Sequence, residues 1–266
     1  MSRPTGLISD IPSADDMLVG KLIGYAPKQT EKSWLVDYFR FDLDQWPNQT
    51  CVPFSLANAV WAAQGIAGVL DAERVLISPP ALYYATLRRT YGAKATLADG
   101  GCKPSQAVAA MNEVGCCLWD EWPHEADNPD KCLSEPPGNL LMTGTDTDWI
   151  QLFRLDGWGL ERKEQVIGCL CAEVPRPVIC GLTLDQAYEE LKDQPWPGRT
   201  GPTVGRHMVA LCGFDETGPY VSTTWGPSWG VGGLGQITWE AFMSFETTDL
   251  IAVAVDVTKM PKKATQ

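Results

Sequence analysis

A change of pattern near residue 150 constrains this chain more than any other feature. Before it, apolar residues recur at helical spacing: "CVPFSLANAVWAAQ" (51–64) sets Phe54, Ala57, Trp61 and Ala62 near one another on a helix surface. "SPPALYYATLRR" (78–89) and "PSQAVAAMNEVG" (104–115) each open on a Ser or Pro start signal, and the second closes at Gly115. Pro53 fits a first helical turn, where the missing N–H has no partner to lose. After residue 150, "ERKEQVIGCLCAEV" is the last helical stretch. Short β-rich runs follow: "PVICGLTL", "HMVALCGF", "YVSTTW", "LGQITW" and "LIAVAV", separated by Gly, Pro and Asp turns. A helical half followed by a strand-rich half predicts an α+β architecture of two lobes, with a cleft where they meet.

With 266 residues, the chain is long for one domain, which agrees with two lobes. The boundaries read as a polar, irregular N-terminal extension (1–34), a helical lobe (35–150), a β-rich lobe (151–257) and a tail (258–266). No internal repeat, heptad pattern or low-complexity tract interrupts them. A net charge of −12 argues against nucleic acid or an anionic membrane as the main partner. The first twenty residues hold no continuous apolar run of a secretory signal, and no run of about 18 apolar residues suggests a membrane span. The expected location is cytoplasmic or virion-associated. Nine cysteines without a signal do not read as a disulfide framework, although the pairing state of Cys102, Cys116, Cys117 and Cys132 stays open. Only two histidines, His124 and His207, are present, and Cys116–Cys117 and Cys169–Leu170–Cys171 lack zinc-ligand spacing, so no metal or other cofactor is expected. Asn48-Gln49-Thr50 fits a glycosylation sequon, but without a signal it carries no weight.

Cys51 stands at the start of its helix. Unpaired N–H groups and the positive end of the helix dipole stabilise a thiolate there, as a nucleophile requires. The bland alternative is a small, inert core cysteine. A nucleophile needs a base. His124, in the polar loop "WDEWPHEAD", reads as a surface residue. His207 opens "HMVALCGF" directly after the turn "PTVGR", at the mouth of a strand and on the rim of the expected cleft.

Three segments, in this order, resemble the papain family of cysteine peptidases, particularly its compact bacterial and viral members. "DQWPNQTCVPFSLANAV" (44–60) resembles the nucleophile segment, with Gln45 six residues before Cys51. "DGGCKPSQAVAAMNEVGCCLWDEWPHE" resembles the segment of a helix, a Gly turn, a cysteine and Trp-Pro. "RHMVALCGFDETGPYVSTTWGPSWGVGGLGQITWEAF" resembles the block carrying the histidine and two Trp-Gly pairs. The resemblance covers about residues 35 to 256, and the roughly 150 residues between Cys51 and His207 are near the 130–150 of papain-like enzymes. It implies a two-lobe fold with a helical lobe, a β-barrel-like lobe and the site in the cleft between them. It further implies a peptide or protein substrate and a Cys51 thiolate paired with protonated His207. Cys51 N–H and the Gln45 amide would bind the oxyanion, and Trp225 would shield the site while Trp229 braces its loop.

The chain departs from the family pattern at three places. Thr223 stands where the family has the Asn that orients the histidine, and a threonine hydroxyl reaches less far than an amide. "WPNQT" replaces small residues between glutamine and cysteine, so bulky Trp46 either narrows the cleft or caps it. The lead-in is short for a papain-type inhibitory propeptide, which leaves a protein made in its final form or one controlled elsewhere. Two readings follow: an active thiol peptidase, or a papain-like domain with weakened or lost catalysis serving a larger assembly such as a virion.

Overall fold

In the computed structural model, which describes residues 3–10, 33–92, 100–138, 148–244 and 246–261, seven strands make one antiparallel sheet. They are β1 (Ser33–Trp34), β2 (Ile150–Arg154), β3 (Val178–Leu184), β4 (Gly205–Phe214), β5 (Pro219–Ser222), β6 (Leu234–Gln236) and β7 (Thr247–Val255). The pairing path runs β2-β7-β3-β4-β5-β6, with β1 added to β4 at Ser33–Phe214 and Trp34–Gly213. β4 holds the sheet together, since it pairs with β1, β3 and β5. Its residues from His207 to Phe214 are all buried, as a continuous apolar run in a strand covered on both faces should be.

The helices are α1 (Cys51–Ile66), α2 (Pro79–Tyr91), α3 (Pro104–Glu113), α4 (Leu160–Leu170), α5 (Gln186–Glu189) and α6 (Trp239–Met243). α1 is buried on every side except at Trp61 and Ile66, so it is a core helix rather than one with a single apolar face. Its polar residues are therefore all bonded, as burial demands. Ser55 Oγ donates to Met208 O of β4 at 2.8 Å, Asn58 Nδ2 to Arg40 O at 2.8 Å, and Gln64 Nε2 to Val75 O at 2.8 Å. These bonds fix the helix against the sheet and against the loop before it. α2 begins as its sequence predicts: the Ser78 hydroxyl accepts the Ala81 N–H at 3.2 Å, with Pro79 in the first turn.

The lead-in contributes structure that its polar composition did not signal. β1 comes from residues 33–34, and residues 3–10 lie against both halves of the molecule. β2 also went unanticipated, because five residues pairing with β7 carry too short an alternation to stand out. None of the nine cysteines, Cys102, Cys116, Cys117 and Cys132 among them, is joined in a disulfide in this structure. Among the described residues no helix is long and apolar enough to cross a membrane, and no cluster of three or more His, Cys, Asp or Glu could hold a metal. Part of the tail, residues 262–266, lies outside the described residues.

Candidate active site

Cys51 is the first residue of α1, after Thr50, whose side chain makes no capping bond. The helix N–H groups around it are those that elsewhere receive a cap or an anion. The Ser55–Met208 bond ties this end of α1 to β4, one residue beyond His207. Cys51 and His207 are both fully buried.

That burial decides their charge. It pushes the Cys51 thiol up from 9.0 to about 12, against backbone hydrogen bonds from Met208, Gly6, Val52 and Cys51 itself. The rise corresponds to roughly 4 kcal/mol against ionisation, whereas a helix terminus supplies about 0.3–1 kcal/mol, up to ~2 in partly buried sites. Desolvation wins. Burial lowers His207 from 6.5 to about 3, and the positive charge of Arg3 lowers it further. Burial thus favours the uncharged form of both groups in this structure. The helix terminus is where the sequence placed it, while burial of both groups opposes the charged pair that the resemblance implies.

Gln45 is also fully buried, and its side chain is held at both ends. Nε2 donates to Asn48 O at 2.9 Å and to Pro4 O at 3.4 Å, while Oε1 accepts the Thr224 hydroxyl. Its backbone N–H donates to Thr224 O at 2.9 Å, and Gly226 N–H to Leu43 O at 3.0 Å, so residues 43–45 are clamped to 224–226. Thr224 is a site residue that the sequence reading passed over. It stands next to Thr223, and nothing local marks which of two adjacent threonines points at a glutamine 179 positions away.

Thr223 is buried, but its hydroxyl accepts the Trp225 backbone N–H at 3.3 Å and does not meet the imidazole. Neither ring nitrogen of His207 has a hydrogen-bond partner. The ring is held by stacking alone, with Trp225 at 4.2 Å between centroids and 22° between planes. Trp225 in turn packs edge-on to Tyr188 and Trp229, and the buried Trp229 indole donates to Tyr188 O at 3.0 Å. Trp46 is partly exposed at the rim. Its carbonyl lies 2.9 Å from His124 Nε2, and the His124 ring meets Phe54 of α1 edge-on. His124 is thus half-buried behind the Gln45 loop rather than free on the surface.

Residues 6–8, which include the Gly6 backbone group bonded to the Cys51 sulfur, bridge β4 and the segment around Cys102. Gly6 and Leu7 N–H both donate to Arg206 O, at 3.2 and 3.3 Å, on the β4 side. On the opposite wall, Cys102 N–H donates to Gly6 O at 2.8 Å and Ile8 N–H to Cys102 O at 3.0 Å, a parallel bridge between Leu7 and Cys102. Pro4 O accepts the Trp225 indole N–H at 2.9 Å as well as the Gln45 amide. Glycines clear the path. A Cβ on Gly6 would lie 2.0 Å from Gln49 O, one on Gly101 2.0 Å from Gly6 O, and one on Gly181 2.3 Å from Leu7 Cδ2.

No protein-family model and no curated protein matches this sequence. Solved structures do match its fold. Xylellain, a cysteine protease from Xylella fastidiosa, superposes with a TM-score of 0.74 at 17% identity, over 96% of this chain and 98% of that one. Digestive procathepsin L2 proteinase from Tenebrio molitor larval midgut gives 0.69 at 15% identity, covering 95% of this chain and 78% of that one. The Carica candamarcensis cysteine protease CMS1MS2, solved with E-64, gives 0.58 at 19% identity over 85% and 97%. At these identities the likeness concerns the fold. With its antiparallel sheet, its core helix headed by Cys51 and its match along nearly the whole of xylellain, the chain has the α+β fold of the papain-like cysteine proteases.

Proposed function

We propose that this chain is a thiol peptidase that uses Cys51 and His207. The observation that carries the reading is a peptide carbonyl, that of Pro4, bonded to the Gln45 amide at 3.4 Å in a segment that also bonds to β4. A crevice that takes extended backbone on both sides, beside a thiol, an imidazole and a fixed amide donor, suits acyl transfer from peptides. In the proposed reaction His207 takes the Cys51 proton as sulfur attacks the substrate carbonyl, and the thiolate–imidazolium pair forms once substrate and water replace the present filling. Negative charge develops on the carbonyl oxygen and is met by Cys51 N–H and Gln45 Nε2. The tetrahedral species collapses to a thioester as His207 returns the proton to the leaving amine. Water, deprotonated by His207, then cleaves the thioester and restores the thiol. Trp225 covers the imidazole throughout.

The test is labelling with an epoxysuccinyl peptide or iodoacetamide from about pH 4 to 9, with peptide mapping. It is done on the chain carrying Gly6→Val, whose side chain has no room beside Gln49. Fast labelling of Cys51 well below pH 8, lost in His207→Ala, supports the enzyme. A second reading, a catalytically weakened papain-like domain serving a larger assembly such as a virion, draws on the unpartnered His207 ring. It expects labelling only at alkaline pH, indifferent to His207.

A further inference from the structure

We propose that His124 is a positioning residue for the oxyanion donors, setting the turn that carries Gln45 against the helix that carries Cys51. Which reaction this serves rests on the peptidase reading; the bridge itself stands on geometry. The two donors lie on separate elements, the Cys51 N–H at the head of α1 and the Gln45 amide in the turn before it. Both must face one oxygen atom, so a shift of about 1 Å between the elements costs about as much as losing a donor. The turn is closed by the Asn48 N–H on Gln45 O at 2.9 Å, and Asn48 O accepts the Gln45 amide at 2.9 Å. Between these residues the Trp46 carbonyl faces His124 Nε2 at 2.9 Å. A carbonyl oxygen only accepts, so Nε2 carries the hydrogen. The same imidazole meets Phe54 of α1 edge-on, with centroids 5.2 Å apart and planes at 88°. One side chain thus touches both elements, the turn through a hydrogen bond and the helix through packing.

A spacer must itself be held, and the segment around His124 is. Asn128 N–H donates to Glu125 O and Lys131 N–H to Asn128 O, both at 3.1 Å. Lys131 is buried, pairs with Glu125 and lies 4.7 Å from the centre of the Trp122 ring. A second strut runs beside the first, from Asn48 Nδ2 to Pro129 O at 3.1 Å. Residues 124 and 129 therefore support the turn at two points, Trp46 and Asn48, on either side of Pro47. Thr224 bonds Gln45 from the segment after β5, which orients the amide without referring it to α1. His124 supplies that reference through Phe54.

The experiment compares His124→Leu, which keeps bulk against Phe54 and removes the N–H, with His124→Gln, which keeps an N–H donor. Both are made in the full chain, with Gly6→Val added for the activity measurements. We expect His124→Leu to lower kcat for a fluorogenic peptide about tenfold, with KM changed by less than about twofold. His124→Gln should recover most of that loss. Iodoacetamide alkylation of Cys51, which develops no oxyanion, should run at the same rate in parent and variants. A residue that only keeps the fold would slow alkylation and hydrolysis together; that result, or an unchanged kcat in His124→Leu, overturns the proposal. Two NMR readouts need no hydrolysis. In the unaltered chain at neutral pH, where burial lowers the His124 pKa, the hydrogen should sit on Nε2; the Nδ1–H tautomer overturns the proposal, even if His124→Leu misfolds. The Gln45 side-chain amide should exchange with water about tenfold faster in His124→Leu and not in His124→Gln; equal exchange overturns it. If neither parent nor variants cleave peptides while both NMR results hold, the peptidase reading falls and the positioning of Gln45 by His124 stands.

Discussion

The two sides of the crevice are built to different standards. On the helix side hydrogen bonds hold Gln45 through Thr224 and Asn48, the loop before Cys51 through the 224–226 clamp, and α1 itself through Ser55 on Met208, while Asn48 Oδ1 and Thr50 Oγ1 have no partner. On the strand side His207 has a stacked indole and no hydrogen bond. The Gln45 side chain is thus oriented by hydrogen bonds and the His207 ring by packing. Preorganised donors cost nothing to align during reaction. An imidazole without a hydrogen-bond partner keeps both tautomers open.

This contrast can be broken or sharpened by measurement, all in the Gly6→Val background where activity is concerned. The largest expected effect is on the rigid side: Gln45→Ala should lower kcat for a fluorogenic peptide by about 10²–10³. A loss below about threefold would show that the amide plays no part in catalysis. Next comes a stability effect on the loose side. Buried His207 stays neutral in the folded chain down to about 3, whereas the unfolded chain takes up that proton near 6.5. Its contribution to stability is therefore intact above about pH 6.5 and is lost as pH falls towards 3, by a few kcal/mol at most. Thermal unfolding of the unaltered chain should fall more steeply across that window than that of His207→Gln; parallel curves would mean that the ring is hydrated.

Smaller effects test the neighbouring threonines. Thr224→Val leaves Gln45 Oε1 without its donor and should cost about 1–3 kcal/mol of stability and about tenfold in kcat, with Thr224→Ser restoring both. A structural role alone would move stability without kcat. Thr223→Ala should change kcat by less than about threefold, because its hydroxyl serves the Trp225 N–H and not the imidazole. A hundredfold loss would mean that Thr223 turns to His207 during turnover.

Much of this was legible in the sequence where the information is local. α1 begins at Cys51, and the Ser78 cap and the strands at 178–184, 205–214 and 247–255 follow from periodicity and end signals. The grouping of Gln45, Cys51 and His207 is implied only by a family resemblance, since no local signal links residues so far apart. What stayed hidden depends on distant partners. Residues 3–10 carry no strand pattern, and their bonds run through backbone groups to Cys102 and Arg206. Thr224 looks like its neighbour. The complete burial of Cys51 stayed hidden too, because a helix terminus is visible in a sequence and desolvation is not.

Residues 6–8 bond to Arg206 on one side and to Cys102 on the other, two positions far apart in the chain. Freeing this short segment would therefore leave backbone groups of both lobes without partners at once, and each such group costs free energy unless water reaches it. A few residues of irregular backbone thus couple the stability of the strand-rich part to that of the helical part.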